Sequence, residues 1–224
     1  MGQTIQLQAA DGHMLHAYRV EPPNGTKGGL VVVQEAFGVN EHIRAVCDDY
    51  ASRGFCVLAP AIYDRQQRNA TFDYDEASAA RARAMRANIR YDEVMLDIAA
   101  GLTWLRSAGR VGVIGYCVGG SAAWLAACRL DPASAVCYYP SDIGKQTQEQ
   151  PRCPVILHFA ERDRLIPLSD VNRLREQQPQ LPVYVYPAEH GFNNWHRPAS
   201  YDAASAALAF ERTLEFLDRH VARR

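Results

Sequence analysis

The segment Gly115-Tyr-Cys-Val-Gly-Gly120 places a cysteine between two glycines, after a short apolar run and before a helix-like stretch. This is the spacing Gly-x-nucleophile-x-Gly of a nucleophile elbow, with cysteine where serine is usual. A sharp turn from a strand into a helix strains the central residue, and glycines on either side remove side chains that would clash. The free N–H groups at the helix start favour a thiolate on Cys117. The alternative interpretation is a buried structural cysteine beside a glycine turn.

An acid and a histidine follow this cysteine, each just after a later apolar run. The order nucleophile, acid, histidine is that of the α/β-hydrolases. An ordinary thiol is mostly protonated at neutral pH, so His190 would act as its general base and then protonate the leaving group. Asp163 would hold the imidazole in the correct tautomer. Glu161 and Asp142 are the competing acids, and His196 is the competing histidine.

A second carboxyl, Glu35, stands at the end of the apolar run Val31-Val-Val. One interpretation is a glutamate hydrogen-bonded to turn amides. The other is a carboxyl that touches Cys117 and controls its proton. The same loop supplies one oxyanion-hole N–H in α/β-hydrolases. The expected oxyanion donors are therefore the backbone N–H groups of Ala36 and Val118, aimed at the charge that develops on the attacked carbonyl oxygen.

These residues need a sheet whose strand ends meet at one edge, and the chain alternates apolar, β-branched runs with helical patterns. The runs are nearly continuous, as in strands covered on both faces. The predicted strands are Gly29–Glu35, Phe55–Ala59, Val111–Gly115, Ala135–Tyr139, Pro154–Ala160 and Val183–Tyr186. Apolar residues at helical spacing predict helices near 91–106 and 203–217, and Asn40 and Ser169 are expected helix N-caps. Residues 3–19 read as strands turning at Asp11-Gly12.

The predicted fold is therefore one three-layer α/β domain over residues 1–224, with a mostly parallel sheet and an antiparallel N-terminal hairpin. Residues 64–90 are the least regular part of the chain and are expected to form a small lid over the sheet edge. In open α/β sheets, ligands bind outside the carboxyl ends of the strands. Cys117, Asp163 and His190 all fall at such ends.

Composition narrows the class of partner. The chain has 24 basic and 25 acidic residues and is 48% hydrophobic, which gives no cationic surface for nucleic acid or membrane. Its six cysteines are scattered without a CxxC pair, and no histidine pair has metal-ligand spacing. We therefore expect a cytoplasmic protein with no metal, no cofactor, no membrane or nucleic-acid partner, and a small-molecule substrate.

At this point the sequence resembles the dienelactone hydrolase (carboxymethylenebutenolidase) family over nearly its whole length. The matching segments are Glu35-Ala-Phe-Gly38, the Gly115–Gly120 elbow, the acid loop with Asp163, His190-Gly-Phe192 and the closing Ala207–Phe216. The resemblance implies a Cys-His-Asp triad, no cofactor and hydrolysis of an enol-lactone to a keto acid. It also implies that Glu35 takes the thiol proton when an anionic substrate displaces it.

One part of the family pattern differs here. The resemblance implies arginines that bind the substrate carboxylate, one of them shortly after the histidine, but Asn193 and Asn194 stand there and Arg197 comes three residues later. The expected substrate-binding residues are Arg81, Arg83, Phe37, Tyr116, Phe192, Asn194 and Trp195.

Three other functions compete with a dienelactone hydrolase. A generalist carboxylesterase or thioesterase would use the same fold and triad. A class I glutamine amidotransferase also carries a cysteine elbow, but Ser121-Ala-Ala after the elbow and Glu189-His190 late in the chain do not match its pattern. A non-enzymatic binding protein with Cys117 as a redox sensor would have no need of the acid and the histidine.

Overall fold

The computed structural model describes residues 2–222, which form one mixed sheet of eight strands with six helices. The strands are β1 (Gln3–Gln8), β2 (Met14–Val20), β3 (Gly28–Val33), β4 (Phe55–Pro60), β5 (Val111–Tyr116), β6 (Ala135–Tyr138), β7 (Val155–Ala160) and β8 (Val183–Tyr186). The helices are α1 (Glu41–Ser52), α2 (Glu76–Ala87), α3 (Tyr91–Trp104), α4 (Val118–Arg129), α5 (Leu168–Gln177) and α6 (Ala203–His220).

The strand order is β1-β2-β4-β3-β5-β6-β7-β8. β2 pairs antiparallel with β1 and with β4, and every pairing from β4 to β8 is parallel. All residues of β3, β4, β5 and β7 are buried, so helices cover both faces of the central sheet. The predicted three-layer α/β fold with its antiparallel N-terminal hairpin is confirmed.

The structure confirms the predicted hairpin turn and one of the two predicted helix caps. The hairpin turn at Asp11-Gly12 is confirmed, with Gly12 at φ 83°. Asn40 caps α1 and accepts a hydrogen bond from the Ile43 N–H, as predicted. Ser169 as an N-cap is wrong, because α5 already begins at Leu168 with Pro167 at the cap position. Proline supplies no side-chain acceptor there, but its fixed φ suits a helix start.

The irregular segment forms a separate small cluster beside the sheet edge. A 3₁₀ turn covers Ile62–Arg65, and α2 follows after an extended stretch. A second apolar cluster, distinct from the main core, holds this segment together through Tyr63, Ala70, Phe72 and Ala82. Phe37 of the Glu35 loop packs against it. The segment is therefore packed beside the loop that follows β3.

Among residues 2–222, no helix is long and apolar enough to cross a membrane.

Candidate active site

Cys117 occupies the sharp turn between β5 and α4. It has φ 55° and ψ −117°, a left-handed conformation that is strained for a residue with a side chain, and it is 7% exposed. A Cβ on Gly115 would overlap the Gly119 carbonyl, and a Cβ on Gly119 would overlap the backbone at the end of β3. The glycines are thus required by close backbone approach, and they place the thiol at the carboxyl edge of the sheet.

Asp163 and His190 meet at the same edge. His190 Nδ1 lies 2.7 Å from Asp163 Oδ2, and the Asp163 side chain is 1% exposed. The other carboxylate oxygen accepts the backbone N–H groups of Leu165 at 2.8 Å and Ile166 at 3.1 Å. These bonds fix the carboxylate, which in turn orients the imidazole. The competing acid Glu161 is exposed in the same loop.

The electrostatics of His190 involve the cysteine directly. Burial alone would lower its pKa, but the charge of the neighbouring Cys117 thiolate and the hydrogen bond with Asp163 raise it to about 10. Nε2 is buried and has no hydrogen-bond partner among the described residues. Because buried polar atoms are normally paired, this nitrogen is available for a reacting group. The arrangement can hold an imidazolium next to a thiolate.

We therefore expect that Cys117→Ala lowers the pKa of His190, since it removes the thiolate charge that favours the imidazolium. Histidine NMR titration of the wild type and the variant measures this change. Cys153→Ala, at a half-buried position outside this site, is the control and should leave the His190 titration where it is. An unchanged His190 titration in Cys117→Ala would mean that the two side chains do not interact.

Glu35 is buried beside the nucleophile loop and is held by two donors. Its Oε1 accepts the Tyr139 hydroxyl at 3.2 Å, and its Oε2 accepts the Asn194 amide at 3.0 Å. Tyr139 follows β6 with φ 35°, and its ring centroid lies 4.9 Å from that of His190. One strained tyrosine therefore contacts both the carboxyl and the imidazole. These bonds hold Glu35 by side chains, whereas the alternative interpretation expected turn amides.

The side-chain amide of Asn194 forms all of its hydrogen bonds within the protein. Its amide nitrogen donates to Glu35 and also to the Tyr74 hydroxyl at 2.8 Å, and its Oδ1 accepts the His196 N–H at 3.0 Å. Since an amide has two N–H groups, none remains for a substrate. Burial and the Glu35 charge raise the pKa of Tyr74 to about 12. Asn194 thus positions Glu35, which corrects the expectation that it binds substrate.

The two expected oxyanion donors belong to the loop after β3 and to the start of α4, which approach each other where Gly119 meets the Gln34 carbonyl. Val118 is the first residue of α4, so its N–H has no acceptor one turn earlier. Ala36 follows Glu35 in the loop after β3, and its carbonyl accepts the Tyr63 hydroxyl at 2.9 Å. This bond restrains the Ala36–Phe37 peptide group, which directly follows the one that carries the Ala36 N–H. The two N–H groups are thus candidates for stabilising a developing oxyanion.

Arg81 and Arg83 were expected to bind substrate, but no contact in the described part of the chain places either of them at the Cys117 site. Arg81 lies over the Phe72 ring at 5.2 Å, and Arg83 is exposed; neither forms an ion pair among the described residues. Arg197 lies nearer the histidine, with Nη1 3.7 Å from where a Cβ of Gly191 would be. Its guanidinium also lies 5.7 Å from the Phe37 ring centroid. Arg197 therefore lies beside Gly191, the residue after His190, and forms no ion pair among residues 2–222.

Two of the expected substrate contacts, Tyr116 and Phe192, lie in the core, whereas Trp195 stays partly exposed. Tyr116 is 1% exposed, stacks on Tyr138 at 4.7 Å and lies 3.3 Å from the Tyr50 hydroxyl, because alternate residues of β5 face opposite sides of the sheet. Phe192 is fully buried under Tyr139. Trp195 packs edge-on against His42 at 4.7 Å. These positions correct the expectation for Tyr116 and Phe192, whose side chains belong to the core, while Phe37 stays half-exposed next to Ala36.

Sequence reasoning missed Tyr139, Tyr74 and Arg86. Tyr139 closes an apolar run and therefore looked like one more buried strand residue. Tyr74 and Arg86 lie in or beside the irregular segment, where no periodicity indicates which side chains turn inward. Arg86 donates to Ser141 Oγ at 3.0 Å and Asp142 Oδ2 at 3.1 Å, whereas the acid bonded to His190 is Asp163.

Known proteins resemble this chain in sequence and in fold. A carboxymethylenebutenolidase from Pseudomonas putida is 31% identical over 95% of this chain and 94% of its own. A Klebsiella pneumoniae crystal structure assigned as a dienelactone hydrolase is 27% identical, with a TM-score of 0.79 over 97% of this chain and 99% of that one. An esterase from Pyrococcus furiosus, 17% identical, shares the fold with a TM-score of 0.69 over 98% of this chain and 93% of that one. The model of the dienelactone hydrolase family matches residues 15–221. The chain belongs to the dienelactone hydrolase family.

Proposed function

We propose that this protein hydrolyses an ester or enol-lactone through a Cys117-His190-Asp163 triad and a thioester acyl-enzyme. The observation that carries the proposal is the His190–Asp163 pair, 2.7 Å apart, whose free Nε2 is buried beside the thiol at a nucleophile elbow. Such a pair supplies both the base that activates a nucleophile and the acid that releases a leaving group.

The reaction runs in two halves. Cys117 Sγ attacks the carbonyl carbon, and the displaced electron pair rests on the carbonyl oxygen, stabilised by the Ala36 and Val118 N–H groups. The carbon–oxygen ester bond breaks as the carbonyl re-forms, and His190 gives its proton to the leaving oxygen. His190 then takes a proton from water, whose hydroxide attacks the thioester. The carbon–sulfur bond breaks, releasing the carboxylic acid and regenerating Cys117.

In this proposal Glu35 controls the thiol proton. The Tyr139 hydroxyl and the Asn194 amide each occupy one of its oxygens and leave further lone pairs free. The carboxyl can therefore exchange a proton with Cys117 without losing its support. Six unpaired cysteines support a reducing, cytoplasmic compartment, where such a thiol stays active.

The proposed substrate is a small lactone or ester that carries a carboxylate. Arg197 beside His190 and the half-exposed Phe37 support this class, because a guanidinium pairs with a carboxylate and the ring covers an apolar unsaturated system. The activity named for the P. putida relative agrees with a lactone. No metal or cofactor takes part in the proposed steps.

A substrate panel tests the proposal. We expect turnover of a dienelactone and of p-nitrophenyl acetate, and loss of both after iodoacetamide treatment. The anionic lactone should be preferred over its methyl ester, and Arg197→Ala should reduce that preference by one to two powers of ten, the value of one charge-assisted pair of roughly 1.5–3 kcal/mol. Arg83→Ala is the matched control. Hydrolysis that survives complete alkylation of Cys117 would exclude the mechanism.

A further inference from the structure

A polar groove of about 630 Å³ begins beside the elbow and is not used by the reaction described above. One wall is α4, through Val118, Leu125 and Arg129. The opposite walls come from the end of α2, the start of α3 and the segment after β6, through Arg86, Arg90, Tyr91, Asp142, Lys145 and Glu149. Cys117, Asp163, His190 and Glu35 are absent from its lining.

The groove runs from the oxyanion end of α4 toward its C-terminus. From Val118 to Arg129 the helix rises roughly 16 Å. The near end adjoins the nucleophile, since the Ser141 N–H donates to the Cys117 carbonyl at 3.2 Å and Arg86 donates to Ser141 Oγ at 3.0 Å. The near end of the groove, at Val118, therefore lies next to the elbow.

The near half of this groove is cationic. Asp142 is compensated by the Tyr91 hydroxyl at 2.8 Å, Arg86 at 3.1 Å and Lys145 at 3.5 Å. Arg86 Nε is buried and has no hydrogen-bond partner among the described residues. Arg90 and Lys145 are largely exposed at the rim. Because three cationic side chains line this half (Arg86, Arg90 and Lys145) against one carboxylate, Asp142, an anion entering it would meet net positive charge.

The far half differs in the balance of its charges. Arg129 forms an ion pair with Asp92 at 2.9 Å, and its guanidinium also bonds Glu149. The two carboxylates outnumber the one cation there, which disfavours an anion beyond Leu125. The groove thus limits how far along α4 a negative group is stabilised.

We propose that this groove is an acyl-binding subsite for elongated acids that end in a carboxylate, with Arg86 as the specificity-determining residue. The inference rests on the proposed esterase function. The leaving oxygen must lie near His190, which protonates it, and His190 does not line the groove. The groove therefore receives the acyl side of the substrate. A small lactone leaves it empty, because its acyl and leaving groups close one ring.

The test compares p-nitrophenyl monoesters of adipic and suberic acid with p-nitrophenyl hexanoate and octanoate. The quantity measured is the ratio of kcat/KM for each acid-ended ester to that of its neutral counterpart. We expect wild type to favour the acid-ended esters and Arg86→Gln to lower the ratio about ten- to a hundredfold. Arg86→Lys should restore part of the ratio, and Arg83→Gln, on the same helix and exposed, should not change it.

Two results would overturn the inference alone: neutral esters hydrolysed by wild type without any preference for the acid-ended ones, or a ratio that Arg86→Gln leaves unchanged. Failure of wild type to hydrolyse any ester would instead overturn the proposed function and the inference with it. If Arg86→Gln does not fold, competitive inhibition of wild type by free suberate, weakened in Arg86→Lys, supports the subsite. Absence of inhibition counts against it.

Discussion

Cys117→Ala is expected to lower kcat for p-nitrophenyl acetate by roughly four to six powers of ten, because it removes the covalent step on which both halves of the reaction depend. The loss is measured from the rate of p-nitrophenolate release, by stopped-flow or steady-state kinetics. The variant should fold, since alanine fits the space of the thiol. Alanine also carries a Cβ, as cysteine does, so the strain at φ 55° should not increase.

Two further variants sharpen this experiment. Cys117→Ser keeps the shape but should also be poorly active, since a hydroxyl is a far weaker acid than a thiol and the proposed mechanism uses a thiolate. Cys153→Ala removes a half-buried thiol away from the site and should retain wild-type turnover. Near-normal hydrolysis by Cys117→Ala would reject Cys117 as the nucleophile.

The second large effect concerns the histidine and its acid. His190→Ala should reduce kcat by about four powers of ten, and Asp163→Asn should approach the same loss because the imidazole then adopts the wrong tautomer. The double variant Cys117→Ala/His190→Ala should be scarcely worse than either single one, since the residues act as a unit.

Glu161→Ala is the matched control for the acid. Glu161 is exposed, lies two residues before Asp163 in the same loop, and should tolerate the change. The kcat of each variant on p-nitrophenyl acetate settles the assignment. A severe loss in Glu161→Ala with an active Asp163→Asn would transfer the role to Glu161.

Much of the fold could be predicted because burial leaves a strong signal. Strands covered on both faces appear as continuous apolar runs, and β3, β4, β5 and β7 are fully buried. Strand ends were less certain. β3 stops at Val33, two residues before the predicted end, because Gln34 and Glu35 already belong to the loop beside the elbow. The apolar pattern alone does not show where a strand stops forming hydrogen bonds with its neighbouring strands.

The site residues likewise fall into those that the sequence predicts and those that only the structure shows. Asp163 and His190 follow directly from chain order and strand ends, which are local features of the sequence. The supports of Glu35 do not, since Asn194 lies 159 residues away in the chain and Tyr139 is 104 residues away. Which face of β5 Tyr116 takes, and which arginine of α2 turns inward, depend on packing between distant segments. These contacts require the structure.

The close approach of the elbow glycines to neighbouring strands has a consequence for how this enzyme can change. Gly119 packs against the backbone at the end of β3 and Gly120 against the backbone at the end of β6, with no space for a Cβ at either position. The sheet therefore fixes the position of the Cys117 sulfur. The sheet does not fix the proposed substrate-binding side chains in the same way. Phe37 and Arg197 lie in loops, and Arg86 lies in α2. New substrates can therefore be selected by exchanging peripheral side chains while the reacting atoms keep their places. The same geometry leaves almost no room for substitution at the glycines themselves.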